Sequence, residues 1–205
     1  MDGTLLDLHF DNKVWNDGLP QAWAAAQGIA VEEARNQLLA HMREIYGTIQ
    51  FYSFEYWEKF TGLDLTALHT KERALVDYRP GALAFLRRLR QLNKLVVIAT
   101  NAHPSSIAVK DAQIQISDEV DGVVSNAELN APKEEMAYWE GLQVRHPFDP
   151  ARTLFIDDNA PVLDAARDYG IAHLLTIITP DSSQPARFDL SYPAFDDFAE
   201  ISTGL

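Results

Sequence analysis

The sequence predicts an α/β domain with a parallel sheet, interrupted near its start by an all-helical block. Three patterns predict it. After Arg79-Pro80-Gly81, short apolar runs rich in β-branched residues alternate with helical segments of about ten to fifteen residues. Residues 12–77 carry apolar side chains at helical spacing and many aromatics, with no strand pattern. Acids, hydroxyls and a lysine stand just after the apolar runs, where a parallel sheet presents its ligand crevice.

Taken in order, the opening MDGTLLD is a loop of the α/β domain. In the helical block, Gly28 is a stop and the segment from Val31 to Leu39 starts a new helix. Trp15, Trp23, Tyr52, Tyr56 and Trp57 read as packing between helices, with the alternative that one or two line a pocket. Beyond Gly81, ALAFLRRLRQLNK is an amphipathic helix and LVVIAT, residues 95–100, a buried strand. SSIAVKDAQ is a helix, VDGVVSN a weaker strand, and PKEEMAYWEGLQV a helix opened by its proline. TLFIDDN is a strand ending in two acids, APVLDAARDYGI a helix stopped by Gly170, and HLLTIIT another strand. The tail from Pro180 to Leu205 is loop with a short terminal helix. Residues 1–11 and 78–205 therefore make an α/β core, and 12–77 an insertion placed like a lid over the strand ends.

The 205 residues suffice for a sizeable core, and 47% hydrophobic with 23% charged residues is an ordinary globular balance. A net charge of −13 argues against nucleic acid or an anionic membrane as partner. It leaves room for a small phosphorylated substrate, because a divalent cation reverses the field locally. The absence of cysteine excludes disulfides, thiol nucleophiles and cysteine-ligated zinc. With no signal peptide and no apolar run of membrane-spanning length, the expected location is the cytoplasm.

Asp2 and Thr4 lie in the first loop, Thr100 and Asn101 follow LVVIA, Lys133 follows NAP, and Asp157 and Asp158 end TLFI. Adjacent carboxylates with a third nearby suit a hard cation such as Mg²⁺. A lysine and a hydroxyl suit the non-bridging oxygens of a phosphate. Each residue alone has an ordinary explanation. A threonine caps a strand, Lys133 pairs with Glu134 or Glu135, and an Asp pair caps the next helix. Asp164 and Asp168 face water, and Asp7 is structural. In the order acid loop, Thr-Asn, Lys, Asp-Asp, the set reads as a magnesium-dependent phosphoryl-transfer site.

That order resembles the haloacid dehalogenase (HAD) superfamily of phosphatases. The family's first motif is Asp-x-Asp-Gly-Thr, which MDGTLLD matches from the x position onward. Thr100 in VVIATNAHP matches the second motif, Lys133 the third, and Asp157 and Asp158 in LFIDDN the fourth. The segments LDLHFDNKVW, LPQAW, DYRPG and TNAHP are similar to those of the GMP/IMP nucleotidase branch. The resemblance spans nearly the whole chain. It implies a Rossmann-like core with an inserted helical cap, and Mg²⁺-dependent hydrolysis of a purine nucleoside 5′-monophosphate through an aspartyl-phosphate.

By the resemblance, Asp2 is the general acid/base, and its backbone carbonyl a metal ligand. Gly3 and Thr4 shape the phosphate loop, Thr100 and Asn101 meet the phosphate, and Lys133 holds nucleophile and phosphate in place. Asp157 and Asp158 bind Mg²⁺. His103 either reaches the substrate or caps the helix after NAHP, and capping is the favoured reading. An acid at Asp2 favours a phosphatase over a dehalogenase, because halide needs no proton.

The family's nucleophile precedes the x position, one residue before Met1, on a strand that runs through the middle of the sheet. The expectation for these 205 residues is a destabilised and essentially inactive chain that begins at an internal methionine. The competing expectation is a nucleotide- or phosphate-binding domain that does not hydrolyse. A phosphatase for another small phosphate ester is the enzymatic alternative. A phosphorelay receiver domain shares the residue types, but its acid pair comes early and its lysine last.

Overall fold

The apolar runs of the second half are β-branched and alternate with helices, the pattern of strands that pair in parallel. In the computed structural model, which describes residues 1–202, β1 (Val97–Thr100) pairs with β2 (Gly122–Ser125) in parallel. β3 (Leu154–Ile156) pairs with β4 (His173–Ile177), again in parallel. The sequence reads the tail after Pro180 as loop with a terminal helix, but it also contributes β5 (Ala194–Phe195), parallel to β4. Two residues are too few for any periodicity. Burial of Phe195 against Phe85, Ile177 and Phe198 holds this strand instead.

Among the described residues the strands form two sheets, β1–β2 and β3–β4–β5, with no ladder between them. The turn at Met1–Leu6 packs between the two. Met1 and Leu6 bury with Ile98 of β1, while Leu5 also packs on the cluster around Ile177 of β4. The backbone amides of Thr4, Leu5 and Leu6 all converge on the carbonyl of Met1.

The segment between this turn and Gly81 is helical. Its main helices are Leu19–Gln27, Val31–Ile45, Phe54–Thr61 and Leu65–Glu72. They enclose a core of their own around Leu19, Trp23, Leu38, Trp57 and Leu65. Full burial of a tryptophan such as Trp57 supplies about 2–3 kcal/mol of apolar transfer. Lys13–Gly18 is π-helical, and it turns Trp15 and Asn16 toward the strand ends. Such bulges recur at functional sites.

One helix boundary departs from the sequence pattern. The helix expected to open at Pro132 begins at Met136, and Pro132–Glu135 is a turn closed by the Glu135 amide on the Pro132 carbonyl. The reason is tertiary. The Lys133 amide donates to Asn101 Oδ1 at 2.8 Å, and the Lys133 carbonyl accepts from Trp139 Nε1 at 2.8 Å, so its backbone is engaged outside a helix. No helix among the described residues is long and apolar enough to cross a membrane.

Candidate active site

A cavity of about 330 Å³ lies between the helical block and the ends of β1 and β3. Asp2, Thr100, Asn101, Lys133, Asp157 and Asp158 line it from below. Trp15, Tyr52, Phe54, Trp57 and His69 line it from the helical side. Aromatics that pack the helical core thus also face the cavity. A larger surface hollow, of about 630 Å³ near Arg79 and Arg87, contains none of the six strand-end residues.

β1 ends at Thr100, which is 2% exposed. Its amide donates to Tyr138 Oη at 3.1 Å, and its Oγ1 accepts from the Ala102 amide at 3.0 Å. Thr100 also lines the cavity. Asn101 spends both ends of its amide on positioning: Oδ1 accepts from the Lys133 amide, and Nδ2 donates to Glu134 at 2.9 Å. Tyr52 donates to the other Glu134 oxygen at 2.6 Å, linking the helical block to the turn that carries Lys133.

Lys133 Nζ lies 2.5 Å from Asp157 Oδ2, and both side chains are buried. Burial alone would lower the lysine, but Asp157 and its neighbours outweigh it and hold Lys133 above its ordinary range. The other Asp157 oxygen accepts from the Asn159 amide at 3.0 Å. Asp158 is raised to about 6, first by burial and then by the charge of Asp157. Thr4, itself buried, brings its Oγ1 to 3.5 Å from Asp158 Oδ1. Gly3 has φ +69°, and a Cβ there would lie 2.6 Å from the Asp158 carboxyl carbon, so the turn and this carboxylate approach closely only because residue 3 is glycine.

Asp2 points to a partner that sequence reasoning missed. Lys110, 1% exposed on the helix Pro104–Ile114, places Nζ 2.8 Å from Asp2 Oδ1 and 2.8 Å from Asp11 Oδ1. Burial disfavours the charge on Asp2, yet the Lys110 ammonium prevails and holds this carboxyl below its usual range. Asp11 shares the same cation; burial and the Asp2 charge raise it to about 7. No local pattern marks Lys110, because its partners lie about a hundred residues away in sequence.

His103 is an N-cap: its Nδ1 accepts from the Ser105 amide at 3.2 Å, while Nε2 meets Glu55 at 3.1 Å. Asp7 is structural, accepting from the amides of His9 and Ser182. Asp164 and Asp168 pair with the exposed Arg167. Lys133 pairs with neither Glu134 nor Glu135 but with Asp157.

The donor set fits a hard divalent cation. Asp157 has Lys133 to balance it, whereas the partly buried Asp158 meets no cationic side chain within ion-pair distance among the described residues, and its contact with the Thr4 hydroxyl is long. Among the described residues no three His, Cys, Asp or Glu side chains already form a metal cage, so backbone carbonyls and water would complete the shell.

Parallel strands of two sheets thus bring an acid, a hydroxyl, a lysine and an acid pair together at one cavity under a helical block. Residues 1–170 match the family of haloacid dehalogenase-like hydrolases, and the chain belongs to that family. The GMP/IMP nucleotidase YrfG of Escherichia coli is 32% identical over 205 residues, covering 100% of this chain and 92% of that protein. A HAD phosphatase from Thermococcus onnurineus has a similar fold, with TM-score 0.82 at 16% identity over 99% of this chain and 94% of that one. CbbY from Rhodobacter sphaeroides, solved with phosphate, has TM-score 0.65 at 15% identity over 98% of this chain and 93% of that one.

Proposed function

We propose that the site is that of a phosphomonoesterase acting on purine nucleoside 5′-monophosphates. The observation that carries this reading is the convergence of Asp2, Thr100, Lys133, Asp157 and Asp158 on one cavity. The full-length relationship to a protein named GMP/IMP nucleotidase supports the substrate class. The cavity is small and aromatic on the helical side, which suits a nucleoside leaving group.

In this reading the Thr100 hydroxyl and Lys133 hold the non-bridging phosphate oxygens, with Asn101 setting the position of the lysine. Asp2, held by Lys110, is the general acid/base at the leaving oxygen. Asp157, Asp158 and the Asp2 carbonyl would hold Mg²⁺, which would supply charge neutralisation and orientation of the phosphate. The helical block excludes water and carries the contacts to the leaving group.

Hydrolysis through an aspartyl-phosphate requires a carboxylate in line with phosphorus, and the resemblance assigns it to the position preceding Met1. The test compares the 205-residue polypeptide with the same polypeptide extended at its amino terminus by an apolar segment ending in Asp. Phosphate release from GMP, IMP and a panel of sugar phosphates is followed with Mg²⁺ and with EDTA. The expected result is Mg²⁺-dependent release from GMP and IMP by the extended chain, and binding without turnover by the other. Turnover by the unextended chain would overturn the nucleophile assignment. Preference for a sugar phosphate would move the substrate, and binding without turnover in both forms would favour a non-catalytic binding domain.

A further inference from the structure

Two side chains in the cavity have no part in the phosphate site, and each carries a buried polar atom without a hydrogen-bond partner. His69 on the helix Leu65–Glu72 is 1% exposed, and its Nε2 is buried without a hydrogen-bond partner. Ser106 on the helix Pro104–Ile114 is 3% exposed, and its Oγ is likewise unpartnered. The two helices pack on each other, and both residues line the cavity. An unsatisfied buried polar group is destabilising, and a ligand group that bonded to it would relieve that cost.

The chemistry of this pair is defined. His69 Nδ1 lies 2.8 Å from the Leu65 carbonyl, which only accepts, so Nδ1 carries the hydrogen. Burial lowers this histidine to about 4, so the ring is neutral and Nε2 presents a lone pair. Edge-on contacts with Phe10 and Trp15 and a tilted contact with Phe54, at ring separations of 5.7, 5.9 and 4.7 Å, fix the ring plane. Ser106 offers one donor and two acceptor positions.

Lys110 relates them to the strand-end residues. Ser106 and Lys110 are four residues apart on one helix, hence on the same face about one turn apart. Lys110 grips Asp2, the residue placed at the leaving oxygen. Ser106 therefore lies one helical turn from the lysine that grips Asp2, and His69 and Ser106 open on the same cavity as the strand-end residues. We infer that His69 and Ser106 form a leaving-group subsite that accepts a hydrogen bond from a hydroxyl or N–H of the alcohol released. The inference rests on the phosphomonoesterase reading and deepens it: the preferred substrates are nucleoside or sugar monoesters, and esters of plain alkyl alcohols are poor ligands.

The test is calorimetric binding to the 205-residue chain with Mg²⁺, which needs no turnover. The probes are GMP, ribose 5-phosphate, butyl phosphate and orthophosphate. The variants are His69→Phe, which keeps an aromatic ring in the cluster, and Ser106→Ala, which removes only a hydroxyl. The expected result is that each variant weakens the tightest donor-bearing ester about tenfold, the size of one lost hydrogen bond, and leaves butyl phosphate and orthophosphate within about twofold. Equal losses on butyl phosphate would mean a damaged helical block and would overturn the subsite. Unchanged affinity of every ester in both variants would overturn it as well. If ribose 5-phosphate, and not GMP, binds better than butyl phosphate and is the probe weakened, the subsite stands and the nucleotide reading falls. If no donor-bearing ester exceeds butyl phosphate, the subsite falls while retained orthophosphate binding keeps the phosphate site.

Discussion

Lys110 and Lys133 show how a chain of net charge −13 folds acids into its interior. Each lysine is buried against carboxylates at 2.5–2.8 Å, so removing either would leave unbalanced buried charge. His69 shows the opposite device, a titratable ring kept neutral. Its folded value is about 4 against 6.5 for the free group, so between these values the unfolded chain binds a proton that the folded chain refuses. Stability from this residue is full above pH 6.5 and is lost as pH falls toward 4. The shift corresponds to about 3 kcal/mol. Urea unfolding at pH 7.5 and pH 4.5 should therefore show a loss on acidification that is smaller by about 2.5 kcal/mol in His69→Phe, since pH 4.5 stops short of the folded value. Equal losses in the two proteins would show that the ring is not held neutral.

At the level of elements, two turns carry residues of the site, the amino-terminal turn and Pro132–Glu135. Both are shaped by contacts from elsewhere: Asp158 crowds Gly3, and Asn101 with Trp139 holds Lys133. The expected cost of Gly3→Ala is about 1–3 kcal/mol, from the positive φ and from the Cβ forced against the Asp158 carboxyl. Because Asp158 is the carboxylate displaced, Mg²⁺-dependent binding of orthophosphate should weaken at least tenfold in the same variant. Denaturant midpoints and calorimetry measure the two effects separately. A loss of stability with unchanged phosphate affinity would detach the turn from the site.

For the whole molecule, the two sheets are joined through side chains rather than through a ladder, with Leu5 packed on both. The acids of the site sit at that junction. A ligand that binds only the folded chain stabilises it by mass action, by about 2.7 kcal/mol at a hundred times its dissociation constant. MgCl₂ should accordingly raise the melting temperature more than NaCl of equal ionic strength, and EDTA should reverse the gain. Asp158→Asn should abolish the difference between the salts. An unaltered melting temperature with Mg²⁺ would argue against a cation at this junction.

The sequence by itself determined the alternation of strands and helices after Gly81, the helical character of the preceding block and the polar residues at the strand ends. Those features are local: a side-chain period, a glycine stop, an acid pair after an apolar run. Asp2, Thr100, Lys133, Asp157 and Asp158 were legible because each stands at the end of its own run or loop and because their order matches a family. Lys110, Asp11, His69 and Ser106 were not. On its own helix Lys110 stands between Val109 and Asp111 with no local partner pattern, and only the docking of that helix brings it to Asp2 and Asp11. Tertiary structure alone also decided β5, whose pairing comes from burial of Phe195, and the late start of the helix at Met136. Periodicity reports which face of an element is buried; which buried polar groups meet across the interior depends on how the elements pack, and no local spacing records that.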